Sequence, residues 1–180
     1  MGNPLTLSIG PGHLMFNPST SGTEVTDLAT GWPAGWVDLG YTEEGSEQSV
    51  ETKFEDIEVA EELDPVAIMA VSRVIMISFM LAEITATNLK RVWNGGTITS
   101  FGGYVYYDPV TLGQDQYAML GWQSDDSQER WMWRKVLQTG KVTMPRQKAP
   151  KKALLSVEFR AVKPPSLPAF RAIMASPARA

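Results

Sequence analysis

The chain has 180 residues, of which 43% are hydrophobic and 20% are charged, and its formal net charge at pH 7 is −4. This length supports one well-buried core with extended ends, and the composition is that of an ordinary globular protein. The absence of cysteine excludes disulfides, thiolate nucleophiles and Cys-based metal sites.

Glycine and proline interrupt the first 36 residues, so this segment is predicted to be an N-terminal arm with brief strands. His13 is the only histidine and has no acidic residue near it in the sequence, which favours a turn residue over a catalytic one. Trp32 and Trp36 stand in the loop sequence GWPAGW. They are candidates for burial against a second copy, with packing on their own chain as the alternative.

A strand with a β-bulge is predicted next. Val50, Thr52 and Phe54 alternate with charged residues, and the apolar phase then shifts to Ile57 and Val59. A slip of one residue in the inward face of a strand is what a bulge produces.

Val66–Ala82 is the most apolar stretch of the chain and is predicted to be a long strand covered on both faces. A membrane span is disfavoured because Arg73 lies at its centre, where a charge costs about 2.5–3.5 kcal/mol. We therefore expect no membrane insertion.

Residues 83–94 carry apolar side chains at helical spacing and are followed by Gly95 and Gly96, which predicts one short helix. Alternation predicts strands within 117–121, 131–137 and 155–161, and the polar residues 124–127 predict a hairpin turn between the first two. Proline ends the last strand and begins an extended tail. The predicted fold is mainly β, an antiparallel sandwich or barrel with one short helix, divided into an arm (1–36), a β-domain (37–164) and a tail (165–180).

Charge is distributed unevenly. Residues 43–64 contain ten acids and one base, whereas residues 141–180 contain nine bases and one acid. The basic segment 141–152 could contact nucleic acid, or an acidic surface of one copy could face a basic surface of the next; a merely solvated surface is the third interpretation. The candidates for charged contacts between copies are Glu43, Glu44, Glu47, Glu61, Glu62, Lys148, Lys151 and Lys152.

No reactive motif stands out. Nucleophile-elbow, Walker A, zinc-protease and EF-hand spacings are absent, and the paired carboxylates lie in acid-rich or turn segments where solvation is the ordinary outcome. We therefore predict no catalytic site, no cofactor and no metal site.

Four segments together resemble the major tail tube proteins of bacteriophages with long, non-contractile tails (siphophages), especially those that infect actinobacteria. These segments are WVDLGYTEEGSE, VETKFEDIEVAEELDPV, LAEITATNLKRVWNGG and WRKVLQTGKVTMPRQKAPKKALLSVEFRAVKP. The resemblance extends from Trp36 to Pro164 and lies in structural positions, not in reactive groups.

The resemblance implies a structural virion protein with the tail tube β-sandwich fold. Six copies would form a ring, and rings would stack around a tape measure protein, with a tail terminator and a distal tail protein at the two ends. Assembly would occur in the bacterial cytoplasm, and double-stranded DNA would pass through the hollow tube without tight binding. An acidic or neutral lumen suits that passage. The lumen candidates are Glu51, Glu55, Asp56 and Glu58, and the sequence leaves open which of them face it.

Two alternatives share these features. Tail terminators and head–tail connectors have similar folds, and a small β-barrel binding module could use the basic segment 141–152 to contact nucleic acid or a partner protein.

Overall fold

The computed structural model describes residues 12–58, 64–146 and 152–175. These residues form ten strands and one short helix, which confirms the predicted mainly-β fold. In chain order the elements are β1 (Gly12–Asn17), β2 (Val37–Asp38), β3 (Thr42–Ile57), β4 (Ala67–Leu81), α1 (Ala86–Val92), β5 (Thr97–Phe101), β6 (Tyr104–Asp108), β7 (Ala118–Ser124), β8 (Glu129–Gln138), β9 (Leu155–Ala161) and β10 (Phe170–Met174).

Eight of the strands form one antiparallel sheet. Its order is β2-β1-β7-β8-β9-β4-β3, and β10 pairs with β8 off this path. Strands β5 and β6 form a separate two-stranded hairpin. The predicted hairpin of β7 and β8 is confirmed. Strand β3 lies at one edge of the sheet, so among the described residues its outer edge has no partner strand.

One face of the sheet carries the core. On β4, Ile77, Phe79 and Leu81 alternate inward, and Phe159 of the neighbouring β9 stacks on Phe79 with ring centroids 5.9 Å apart. Val92 of α1 belongs to the same buried cluster, so the helix packs on this face. The period of two in these strands is what a sheet with one buried face requires.

Local chemistry sets both ends of α1. The hydroxyl of Thr85 accepts a hydrogen bond from the backbone N–H of Asn88 (3.1 Å), so the helix begins after Thr85, later than the predicted residue 83. Asn94 and Gly95 have positive φ angles of 54° and 124°, which end it. The Asn94 side chain also bonds to the backbone N–H and carbonyl of Gln138, which fixes the helix end to β8.

The long apolar strand β4 lies only partly within the sheet. Strand β9 pairs with β4 from Ile75 to Leu81, whereas residues 67–74 pair with β3 alone. Residues 67–73 are exposed, so the expectation that both faces of this strand are covered is wrong for that half of β4 in the single chain. Among the described residues no helix is long and apolar enough to cross a membrane.

A bulge occurs in this pairing, but not on the strand for which it was predicted. Lys53 pairs with Ser72 and Phe54 pairs with Ala70, so Val71 is the extra residue, on β4 and not on β3. A second register shift lies between Glu43 and Ser46.

Parts of both chain ends belong to the main sheet. Strand β1 pairs with β7, although it lies within the segment 1–36, and β10 pairs with β8, although it lies within the segment 165–180. The division of the chain at residues 36 and 164 stays a prediction.

Two buried arginines of β8 hold the long loop between β1 and β2, and the C-terminal segment, on the sheet. Arg134 donates to the carboxylate of Glu24 (Nε to Oε1, 2.6 Å) and to the carbonyl of Pro168 (2.9 Å). Arg130 donates to the carbonyls of Asp27 (2.9 Å) and Thr30 (2.7 Å). The hydrogen bond from Arg134 is the main reason that the pKa of Glu24 lies below its usual value.

We expect Arg134→Ala to lower the free energy of unfolding by about 3–5 kcal/mol, because two carbonyl groups lose their buried donor and Glu24 retains only its ion pair with Arg171 (3.0 Å). Urea unfolding followed by tryptophan fluorescence measures this. The matched control is Arg160→Ala, an exposed arginine on β9, which should change stability by less than about 0.5 kcal/mol. Equal effects of the two variants would contradict the role given to Arg134.

The wild-type protein should also lose stability as the pH falls through the lowered pKa of Glu24, because a carboxyl group with a depressed folded-state pKa stabilises the fold only while it is ionised. Arg134→Ala should lose less stability over that acidic range.

Candidate functional site

Strands β3 and β4 project beyond the body of the sheet as a two-stranded ribbon, which we define as residues 50–57 and 67–74. Residues directly opposite each other in an antiparallel pair lie on the same face. Val50 is opposite the core residue Ile75, so it marks the core-side face of the ribbon. The further opposed pairs on this face are Thr52 with Arg73, Phe54 with Ala70, and Asp56 with Ile68.

The core-side face of the ribbon presents uncovered apolar side chains beside Arg73 and Asp56. Phe54 is 62% exposed and Ile68 is 69% exposed, and Val50 beside them is also exposed. Arg73 Nε donates to Thr52 Oγ1 at 3.4 Å between these apolar residues, in agreement with their common face. Several exposed apolar side chains on one face make this part of the ribbon a candidate interaction site.

The opposite face of the ribbon is charged. Glu51 is opposite Val74, Lys53 is opposite Ser72, and Glu55 is opposite Met69. Glu51 and Glu55 therefore share one face, whereas Asp56 lies on the core-side face. Glu58 is exposed and follows the last paired residue of β3, so the register does not assign it to a face.

The charged face continues onto the body of the sheet. Glu158 and Arg160 of β9 lie opposite Ser78 and Met76, which belong to the same face of β4. Glu47 of β3 also lies opposite Ser78 and is exposed. On β3 and β9 this face thus carries Glu47, Glu51, Glu55 and Glu158 against Lys53 and Arg160.

One acidic and one basic candidate meet within the chain. Lys152 Nζ lies 2.7 Å from Glu43 Oε2, and both side chains are solvent-accessible. Glu61, Glu62, Lys148 and Lys151 lie outside the described residues, as does the side chain of Glu44. Exposed ion pairs contribute about 0–1 kcal/mol, so this pair adds little to stability. Charged contacts between copies stay a prediction.

The structure packs both tryptophan candidates on their own chain, the alternative that the sequence left open. Trp36 is 7% exposed, contacts Trp32 with ring centroids 4.8 Å apart, and donates from Nε1 to the carbonyl of Thr23 (2.9 Å). Trp32 Nε1 donates to Gln123 Oε1 (2.7 Å), and the Arg130 guanidinium lies 5.5 Å from its ring. Gly121 leaves the space that these indoles occupy, because a Cβ there would collide with Trp32.

A family described as "Phage tail tube protein" matches residues 8–180, nearly the whole chain. The chain belongs to the phage tail tube protein family. It is therefore a structural component of a phage tail, and the resemblance to tail tube proteins that the sequence showed is confirmed.

Among solved structures, this tail tube protein is similar to a chain in the cryo-EM structure of the anti-feeding prophage (AFP) baseplate, 6-fold symmetrised. The two chains are 12% identical, with a TM-score of 0.49, and the alignment covers 98% of this chain and 99% of that chain. No curated protein matches the sequence.

The fold of the tail tube protein also brings two carboxylates to His13. The Nδ1 atom of His13 lies 3.5 Å from Asp38 and the Nε2 atom lies 3.3 Å from Asp125, at an exposed corner of the sheet. Both carboxylates are distant from His13 in the chain, so the sequence pattern does not reveal them. They lie at opposite nitrogens of the imidazole ring, and within the described ranges no group of three His, Asp or Glu side chains could hold a metal ion.

Because Trp36 is buried against Met119 and Met132, we expect Trp36→Ala to lower the free energy of unfolding by about 3–5 kcal/mol. Tyr41→Ala, at an exposed position nearby in the chain, should change it by less than about 0.5 kcal/mol. Urea unfolding of the dilute, unassembled protein measures both. A Trp36 variant as stable as wild type would instead point to a contact between copies.

Proposed function

We propose that this chain is a non-catalytic subunit that assembles into stacked hexameric rings, which form the hollow tail tube through which phage DNA reaches the host. The observation that carries this proposal is the ribbon, which combines an uncovered apolar face, a charged face and a free strand edge. The described residues of a single copy neither cover the apolar face, nor balance the charged face, nor pair with the free strand edge.

Ring closure supplies the missing cover. A strand of the neighbouring copy pairs with the free edge of β3, so the sheets of successive copies become continuous and no edge is left to attract unrelated chains. The core-side face of the ribbon then packs on the neighbour, which buries Phe54 and Ile68. Burial of apolar area stabilises this contact by about 25 cal/mol per Å².

The charged face of the ribbon and of β9 lines the lumen in this proposal. Its carboxylates outnumber its cations, so it repels DNA phosphates and lets the duplex move. Of the four sequence candidates, Glu51 and Glu55 face the lumen and Asp56 faces the neighbouring copy.

Three further proteins are partners of the tube in this proposal. A tape measure protein fills the lumen during assembly in the bacterial cytoplasm, and a tail terminator and a distal tail protein cap the ends of a long, non-contractile tail. The acidic candidates Glu43, Glu44, Glu61 and Glu62 and the basic segment 141–152 lie at ring-to-ring contacts, where opposite charges set the register. The family and the charge pattern of the sequence support these assignments.

Phe54→Asp should abolish assembly while leaving the monomer folded, because the side chain is exposed in the single chain and buried between copies in the ring. Negative-stain electron microscopy across a salt series, with sedimentation and circular dichroism, measures both properties. The matched control is Ser72→Asp, which places the same charge on the opposite face of the ribbon and should still assemble.

Three results would contradict the proposal. Wild-type protein that stays monomeric at every salt concentration would show that the chain does not form a tube. Normal tubes from Phe54→Asp, or loss of tubes from Ser72→Asp alone, would reverse the assignment of the two faces.

A second prediction concerns the lumen. Tubes of the double variant Glu51→Lys, Glu55→Lys should retain short DNA duplexes at low salt and release them at high salt, since a basic wall binds phosphates through counterion release. Co-sedimentation of labelled DNA with tubes measures this. Asp125→Lys, at the exposed turn between β7 and β8, is the control for added charge outside the ribbon. Equal DNA retention by the lumen variant and the control would show that Glu51 and Glu55 do not face the channel.

A further inference from the structure

The β5–β6 hairpin (97–108) stands apart from the main sheet. Its contact with the body is made by Tyr107, whose ring stacks on Trp93 at 5.7 Å and whose hydroxyl donates to the carbonyl of Gly95 at 2.8 Å. A two-stranded hairpin alone is marginally stable in water, so its outer parts need further cover.

Strand alternation divides the hairpin into two faces. Tyr107 is opposite Ile98, and both lie on the face that turns toward α1. Phe101 is opposite Tyr104, and Tyr106 is opposite Thr99, so these three aromatic rings lie on the other face together with Asp108. We call this the aromatic face. Phe101 is 80% exposed, Tyr104 69% and Tyr106 47%.

A cavity of about 300 Å³ lies beside α1. Phe16, Val37 and Tyr117 contribute apolar walls, and Lys90 and Arg91 from the last turn of the helix contribute positive charge. An apolar cavity of about 150 Å³ is enough to bind benzene, so this one has room for an aromatic side chain.

The two cations of the cavity are suited to an aromatic and acidic partner. The Arg91 guanidinium lies 5.9 Å from the Phe16 ring and donates to Asn88 Oδ1 at 2.8 Å, which holds it at the cavity wall. Lys90 has no ionic or hydrogen-bonded partner in the part of the chain that the structure describes. A cation over an aromatic ring contributes about 0.5–2 kcal/mol, with the larger values when water is excluded.

The hairpin cannot fill the cavity of its own chain. Gly95 at the base of the hairpin forms part of the cavity rim, and the aromatic face points away from α1 because Tyr107 occupies the side toward it. Whatever occupies the cavity in this way must belong to another molecule.

We propose that the aromatic face of one copy docks into the α1 cavity of a second copy, with Phe101 or Tyr104 inside and Asp108 facing Lys90. This inference rests on the proposed self-assembly and adds a contact that the ribbon does not provide. The second copy is favoured because complementary chemistry, aromatic and acidic on the hairpin and apolar and basic in the cavity, occurs on one chain. The aromatic face of one copy and the cavity of the next are different surfaces, so the contact is heterologous and propagates from copy to copy.

Cysteine cross-linking tests the contact directly, because the native chain contains no cysteine. One chain carries Tyr104→Cys, and a second chain of different size, made by a terminal tag, carries Val37→Cys in the cavity wall. Mixed under assembly conditions and oxidised, they should form a disulfide-linked heterodimer. Replacing Val37→Cys by Asp125→Cys, which lies outside the cavity, should abolish that product.

The double variant Phe101→Ser, Tyr104→Ser provides a second readout. It should keep the circular dichroism spectrum of the wild type and raise the protein concentration needed for assembly by about tenfold or more, as expected when an aromatic hot spot is lost. Leu112→Ser, at an exposed apolar residue outside the hairpin, should assemble as wild type does.

The outcomes separate this inference from the proposed function. Wild-type tubes together with normal assembly of the double variant, or with no Tyr104–Val37 cross-link, would overturn the docking and leave the tube intact. Wild-type protein that never assembles would overturn the proposed function itself.

Discussion

Antiparallel pairing of β3 with β4 extends beyond the point where the rest of the sheet ends, and the character of the whole molecule depends on this overhang. Strand β9 pairs with β4 only between Ile75 and Leu81, whereas β3 pairs with β4 as far as Ala67. The overhanging residues pair their backbones along one edge of each strand only, and their side chains gain no cover from the rest of the sheet. The single chain is therefore an incomplete sheet, which is the physical reason to regard it as a subunit.

The register of that pairing decides what each face of the ribbon presents. The bulge at Val71 places Ile68 opposite Asp56 and on the same face as Phe54. Without the extra residue, Ile68 would instead share a face with Glu55. One residue thus decides that Phe54 and Ile68 lie on the same face of the ribbon.

The body of the protein holds these outer parts in defined positions. Arg130 and Arg134 bind the long loop and the C-terminal segment to β8, and Asn94 fixes the end of α1 to the same strand. The ribbon and the aromatic hairpin both project from this well-packed body with apolar groups in solvent. A rigid body with two uncovered projections is suited to an assembly in which neighbouring copies supply the cover.

The sequence by itself determined the mainly-β class, a short helix with its glycine-rich end and the tail tube resemblance, because these depend on local periodicity and short motifs. Only the tertiary structure showed that Glu51 and Glu55 lie on the opposite face of the ribbon from Asp56. It also paired Glu43 with Lys152 and buried Trp36 within its own chain. Periodicity shows which residues alternate, but the face of each side chain depends on strand register and on partners distant in the chain. Those are set by packing of the whole sheet, which no local pattern encodes.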